Sequence, residues 1–184
     1  VVRITPFTQP PDLDDTLAAR GWHAFDDTRV MLLPAIAAVP PARPLPDDCA
    51  LVPATPARYA EIVGALRGSP PEQCSAHADR LAASPVPYEG WLLQRGNEVL
   101  ACGQIAVESA LVGVYDVYTA EPARGHGLAT SLCARLIQMA AARGAQGAYL
   151  QVDAANAPAR KVYARLGFRD GYAYHYRSPD AGAE

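Results

Sequence analysis

The clearest pattern of apolar and polar positions lies in the second half of the chain. Residues 111–119 alternate between the two kinds, which is typical of a β-strand with one buried face. After a short glycine-containing stretch, apolar side chains recur at helical spacing from Leu128 to Met139, and Gly144 marks a helix end. The pattern predicts a strand, a tight turn and a helix whose apolar face packs on a sheet.

Similar patterns on either side predict the rest of the fold. Residues 47–178 favour the order strand, two helices, three antiparallel strands, helix, strand, helix, strand. Residues 1–33 indicate a strand–helix–strand appendage, and the prolines of residues 34–46 indicate an extended linker. The expected fold class is a mixed α/β (α+β) domain with a mostly antiparallel central sheet flanked by helices, followed by a tail at 179–184.

Composition narrows the possible functions. Half of the 184 residues are apolar, and the net charge of −3 comes without a Lys/Arg cluster, so we expect no nucleic-acid partner. No apolar run reaches the roughly 18 residues that a membrane span needs, and the four cysteines lack metal-ligand spacing. These features predict a cytoplasmic protein with reduced thiols, no metal and no membrane partner. The start at Val1 rather than methionine favours a fragment or a processed product.

The turn between the predicted strand and helix carries the first candidate chemistry. Residues 124–129 are Arg-Gly-His-Gly-Leu-Ala. A helix start leaves about four backbone N–H groups without intrahelical partners and carries roughly half a positive charge, so phosphates bind there readily. Glycines allow the backbone to approach such a ligand closely. The segment therefore predicts a phosphate-bearing ligand.

Two segments together resemble the GNAT superfamily of acyl-CoA N-acyltransferases. Arg124, Gly127 and Ala129 match its Arg/Gln-x-x-Gly-x-Gly/Ala signature, and Asn156 is the predicted N-cap of a helix that carries Tyr163. The resemblance covers residues 47–177, although Pro122 lies one residue closer to the arginine than in many relatives. It implies a sheet splayed in the middle, acetyl-CoA as co-substrate, and direct attack of a primary amine on the thioester.

The resemblance also assigns roles to residues. It implies that acetyl-CoA binds along the strand end, the turn and the starts of two helices, at Val117, Tyr118, Thr119, Arg124, Gly125, His126, Gly127, Leu128, Ala129, Thr130 and Asn156. The charge of Lys161 makes it a further candidate contact to the nucleotide phosphates, with simple exposure to solvent as the alternative. Backbone groups near Val117 and Thr119 would pair with the pantetheine arm, and an N–H near Val117 would stabilise the oxyanion.

Proton transfer is assigned to two side chains. Tyr163 is the candidate acid for the thiolate, because a phenol is protonated at neutral pH; the alternative is a half-buried helix aromatic. Asp116 is the preferred candidate base, and its carboxylate has binding of a cationic substrate or exposure to solvent as alternatives. Other candidates for the base are Glu108, Glu121 and Tyr115. His77 is more simply explained as a surface histidine.

Residues 1–22 share their layout with residues 148–168, including Gly21-Trp22 and Gly167-Phe168 before a further strand. Our hypothesis is that residues 1–33 are the end of a degenerate first GNAT half. The alternative is coincidence, since a third to a half of helices end in such a cap.

Three functions are compatible with these sequence features. An acetyl-CoA-dependent N-acetyltransferase is favoured, and a non-catalytic acyl-CoA-binding module is the alternative. A dinucleotide site is disfavoured because Thr130 stands where the third glycine of Gly-x-Gly-x-x-Gly belongs. The partner is expected to be a small-molecule or peptide amine. The sequence predicts neither which amine it is nor the oligomeric state of the protein.

Overall fold

The computed structural model describes residues 1–180, so residues 181–184 of the predicted tail lie outside it. The strands are β1 Val2–Ile4, β2 His23–Leu33, β3 Cys49–Ala54, β4 Tyr88–Arg95, β5 Glu98–Glu108, β6 Leu111–Thr119, β7 Gly147–Asp153 and β8 Arg169–Ser178. The α-helices are α1 Leu13–Ala19, α2 Pro56–Arg67, α3 Pro71–Ala82, α4 Leu128–Ala141 and α5 Ala157–Arg165, with 3₁₀ turns at Ile36–Ala38 and Glu121–Ala123. From β3 to β8 the element order is the predicted one.

All eight strands form one sheet in the order β1-β8-β2-β7-β6-β5-β4-β3. Within residues 1–180, β6 and β7 are the one parallel pair, and every other pair is antiparallel. The β6–β7 register runs from Leu111 opposite Gly147 to Val114 opposite Leu150, although β6 continues to Thr119. The two strands therefore separate beyond Val114, which confirms the predicted splay in the middle of the sheet.

Helices cover the sheet on both faces because neighbouring strand residues point in opposite directions. Leu93 and Ala101 belong to the core cluster that contains α4 and the C-terminal strands. Their neighbours Leu92 and Cys102 belong to the cluster formed with α2 and α3. The predicted apolar face of α4 is buried, with Leu136 fully inaccessible to solvent. The sheet with helices on its faces is the mixed α/β architecture predicted above.

The first 33 residues supply two strands to this sheet. Strand β2 lies between β7 and β8 and is antiparallel to both, while β1 pairs with the outer edge of β8. Helix α1 is tied to β8 because Asp14 accepts hydrogen bonds from Arg177 Nε at 2.5 Å and from His175 Nε2 at 3.0 Å. The strand–helix–strand order is the one that the hypothesis of a degenerate first half requires; that origin stays a hypothesis.

The proline-rich residues 34–46 lie against the domain. Ile36 and Val39 are buried in the core that contains α4. The Arg43 carbonyl accepts hydrogen bonds from Ser131 Oγ at 3.0 Å and from Arg135 at 2.9 Å. The segment therefore helps to fix α4, whose first turn forms part of the candidate site. No helix within residues 1–180 is long and apolar enough to cross a membrane, and all four cysteines are free thiols.

Candidate active site

A groove of about 470 Å³ opens where β6 has left β7. Its walls are the end of β6, the turn after it, the first turn of α4 and one side of α5. It brings together most of the residues predicted to bind acetyl-CoA, namely Val117, Tyr118, Thr119, Arg124, Gly125, Gly127, Leu128, Ala129, Thr130 and Asn156. Tyr163 lies in the same wall. Residues that are up to 46 positions apart in the sequence thus share one groove.

The turn before α4 depends on two glycines. Gly125 has φ +83° and Gly127 has φ +77°, a left-handed backbone that side chains with a Cβ rarely adopt. Gly127 is the N-cap of α4, and no side chain in the described part of the chain caps that helix start. Its first backbone N–H groups therefore keep their hydrogen-bonding capacity for a ligand. This geometry fits an anionic group such as a pyrophosphate.

Arg124 is held against the end of β6. Its Nε donates to the Thr119 carbonyl at 3.2 Å, and a terminal nitrogen donates to the Tyr118 hydroxyl at 3.1 Å. The Thr119 carbonyl therefore already accepts one hydrogen bond, and its second lone pair is left for the predicted pairing with a pantetheine arm, which stays a prediction. The guanidinium stays exposed and brings positive charge to the mouth of the groove.

Tyr163 projects from α5 into the groove and is 8% exposed. Its ring packs edge-on against Phe168, with 6.1 Å between ring centroids. Within residues 1–180 its hydroxyl has no hydrogen-bond partner. Burial raises the pKa of the phenol above its ordinary value of 10.0, and the neighbouring Cys133 adds to the shift. A protonated hydroxyl therefore faces the groove at neutral pH.

The start of α5 is fixed by Asn156. Its side-chain oxygen accepts a hydrogen bond from the Ala159 amide at 3.1 Å, which confirms the predicted N-cap. Arg160 beside it is engaged with Asp170 at 2.8 Å. Lys161 is exposed and is not part of the groove wall, and His126 lines a different cavity on the other side of the turn. The two glycines therefore line the groove, whereas these three basic residues do not.

Asp116 lies at a bulge where β6 has one more residue than β5, between the pairs Cys102–Tyr118 and Gln104–Tyr115. Its φ of +49° is left-handed, which is uncommon for a residue other than glycine. The bulge separates Tyr115 from Val117, so it changes the direction of the strand just where the groove begins.

Contacts from α2 and α3 hold this bulge. The Tyr59 hydroxyl donates to the Asp116 carbonyl at 2.9 Å. The Asp116 carboxylate accepts from Arg67 and from His77 Nε2, each at 3.1 Å. Asp116 therefore lines a small polar cavity under these helices and not the groove itself. Sequence reasoning singled out Asp116. The interpretation of His77 as a surface histidine is wrong, because its side chain is only 19% exposed and pairs with Asp116. Tyr59 and Arg67 were missed, because their apolar and charged positions on α2 carry no signal for a contact with β6.

We predict that Tyr59→Phe destabilises the fold by about 1 kcal/mol, because the partly buried Asp116 carbonyl loses its donor. Tyr59 is fully buried, and phenylalanine fills the same space. Urea unfolding of both proteins measures the difference. An unchanged free energy of unfolding would show that the hydroxyl does not hold the bulge.

Comparisons with known proteins agree with this geometry. Residues 56–168 match the acetyltransferase (GNAT) family. The chain is 34% identical over 155 residues to the mycothiol acetyltransferase of Streptomyces bingchenggensis, covering 80% of this chain and 48% of that protein. The chain spans about half the length of the curated relatives it matches.

Solved structures show the same fold. A GCN5-related N-acetyltransferase from Kribbella flavida superposes with a TM-score of 0.69 at 20% identity, over 98% of this chain and 68% of that one. A GCN5-related N-acetyltransferase from Sphaerobacter thermophilus superposes with a TM-score of 0.71 at 20% identity, over 96% of this chain and 59% of that one. With the splayed sheet, the glycine turn and the match over residues 56–168, the chain belongs to the acetyltransferase (GNAT) family.

Proposed function

We propose that the protein is an N-acetyltransferase that transfers the acetyl group of acetyl-CoA to a primary amine by direct attack in a ternary complex. The observation that carries the proposal is the position of Tyr163. Its hydroxyl, which has no partner among residues 1–180, lies in the same groove as the glycine turn and the end of β6. A groove that only bound acyl-CoA would have no need of a buried acid at that place.

The groove residues fit acetyl-CoA by their chemistry. Amide groups of the Gly127 turn and the first turn of α4 are donors for a pyrophosphate, and Arg124 adds positive charge. Beyond Val114, the edge of β6 opposite to β5 is not paired with β7. Its backbone groups can therefore pair with the extended pantetheine arm. Acetyl-CoA supplies an acetyl group activated as a thioester.

The chain's own residues then move the protons. Tyr163 donates its proton to the departing thiolate, since burial keeps the phenol protonated. On the other side of β6, Asp116 and His77 lie 3.1 Å apart and together accept the proton that the amine must lose, directly or through water. An N–H at Val117, next to the bulge, stabilises the oxyanion.

Activity on a panel of primary amines tests the proposal. Acetyl-CoA is mixed with the protein and each amine, released thiol is followed with a thiol-reactive dye, and products are checked by mass spectrometry. Calorimetry measures acetyl-CoA binding in parallel. Binding without acetylation of any amine would favour an acyl-CoA-binding module, and absence of binding would contradict both functions.

The pH dependence provides a further prediction. Because burial raises the pKa of Tyr163, its acid form persists as the pH rises, so kcat should show no fall due to Tyr163 below about pH 10. The rising part of the profile should reflect loss of the amine proton. The measurement is kcat against pH for the wild type and Tyr163→Phe. A fall below about pH 9 in the wild type alone would contradict a raised pKa.

A further inference from the structure

The small cavity under α2 and α3 is distinct from the groove. It has a volume of about 180 Å³ and lies between the two helices above the bulge of β6. Five of its lining residues carry ionisable side chains, including the Cys74 thiol, and three of the five are basic: Arg67, His77 and Arg80. Asp116 supplies the one carboxylate among the lining residues that the structure describes.

That carboxylate is already satisfied. One of its oxygens accepts from Arg67 and the other from His77. Arg80 makes no ion pair with any residue of the described chain, and Arg67 uses one terminal nitrogen for Asp116. The cavity therefore has an excess of positive charge, although the whole chain has a net charge of −3. Guanidinium groups in excess of local carboxylates are typical of a site for an anion.

The cavity and the groove adjoin through β6. Asp116 lines the cavity, and Val117, the next residue, lines the groove. The Tyr118 ring bridges the two as well, since the guanidinium carbons of Arg67 and Arg124 lie 5.7 Å and 5.5 Å from its centroid. A small molecule whose amine reaches the bulge can thus place a second group between α2 and α3.

We propose that the acceptor amine carries a carboxylate, and that Arg67 and Arg80 bind this carboxylate in the cavity. The inference rests on the proposed acetyl transfer and specifies the substrate class. At about 30 Å³ for each water, the volume suits a carboxylate with a short aliphatic segment. A cationic group in place of the carboxylate would face two guanidinium groups without a free counter-charge.

Matched pairs of acceptors test the inference: short amino acids and their carboxamides, compared by kcat/KM in the wild type, Arg80→Gln and Arg58→Gln. Arg58 is the control, because it is an exposed α2 arginine that pairs with Glu61 outside the cavity. The acid-to-amide ratio should fall about 10- to 100-fold in Arg80→Gln and stay at the wild-type value in Arg58→Gln. Comparing ratios between variants cancels the different basicities of the paired amines.

Each outcome separates the two proposals. If amines are acetylated and the acid-to-amide ratio is the same in all three proteins, the inference is wrong while the acetyltransferase function stands. If no amine is acetylated, the proposed function fails. Calorimetric titration of the same pairs into CoA-saturated protein then still decides the inference, because binding of acid and amide with equal affinity would overturn it.

Discussion

Replacing Tyr163 with phenylalanine should lower kcat by about 100-fold, which is the lower end of what a positioned general acid contributes. Removal of the hydroxyl forces the thiolate to leave unprotonated. The ring keeps its contact with Phe168 and its buried position, so the melting temperature should stay close to that of the wild type. Steady-state kinetics with saturating amine, and a binding isotherm for acetyl-CoA, measure the loss and show whether it lies in turnover or in binding.

Tyr174→Phe is the matched control for this variant. Tyr174 is also buried, and its hydroxyl donates to Gln151 at 2.6 Å, outside the groove. Its kcat should stay near the wild-type value, even if its stability falls. An undiminished kcat in Tyr163→Phe would exclude Tyr163 as the acid and would leave protonation of the thiolate to water.

The elements that form the groove can be predicted from the sequence because each of them is local. The strand, the glycine turn and the start of α4 follow one another within about 20 residues, and each has its own signal in alternation, glycine placement or helical spacing. Asn156 is similar, since an N-cap depends on the four residues around it. That these two segments lie side by side in the fold could be predicted only from the resemblance to a known family.

The environment of Asp116 could not be predicted in the same way. Its partners Tyr59, Arg67 and His77 come from two helices that lie 39 or more residues earlier, and no periodicity records such contacts. A left-handed aspartate in a bulge also breaks the expected pattern of a strand. The insertion of β2 between β7 and β8 could not be predicted either, because it depends on tertiary contacts. The alternation of apolar and polar residues predicts which face of a strand is buried, but not which strand lies next to it.

The bulge links the two sites of the molecule. On one side of β6, the residues from Val117 onward line the groove with Tyr163. On the other side, Asp116 closes the cavity with its basic side chains. Because strand residues alternate in direction, one extra residue in β6 decides which side chains face each site. The proposed acid and base therefore act from opposite faces of a single strand.

Gly127→Ala should weaken acetyl-CoA binding by roughly tenfold. The left-handed conformation of Gly127 costs a residue with a Cβ about 1–2 kcal/mol, and that cost corresponds to roughly 5- to 30-fold in affinity. An added Cβ would meet no atom within 4 Å, so the effect comes from the backbone and not from a clash. The exposed turn can relax away from this conformation, and binding must restore it to direct the amides of α4 at the ligand.

Gly144→Ala separates this effect from a general loss of stability. Gly144 also has a left-handed backbone, with φ +99° and open space around it, but it follows the C-terminal end of α4 and lies outside the groove. Both variants should lose similar stability by urea unfolding, while only Gly127→Ala should bind acetyl-CoA more weakly by calorimetry. Equal affinities in the two variants would mean that the turn does not form the phosphate site, and the ligand would then have to bind elsewhere along β6 and α5.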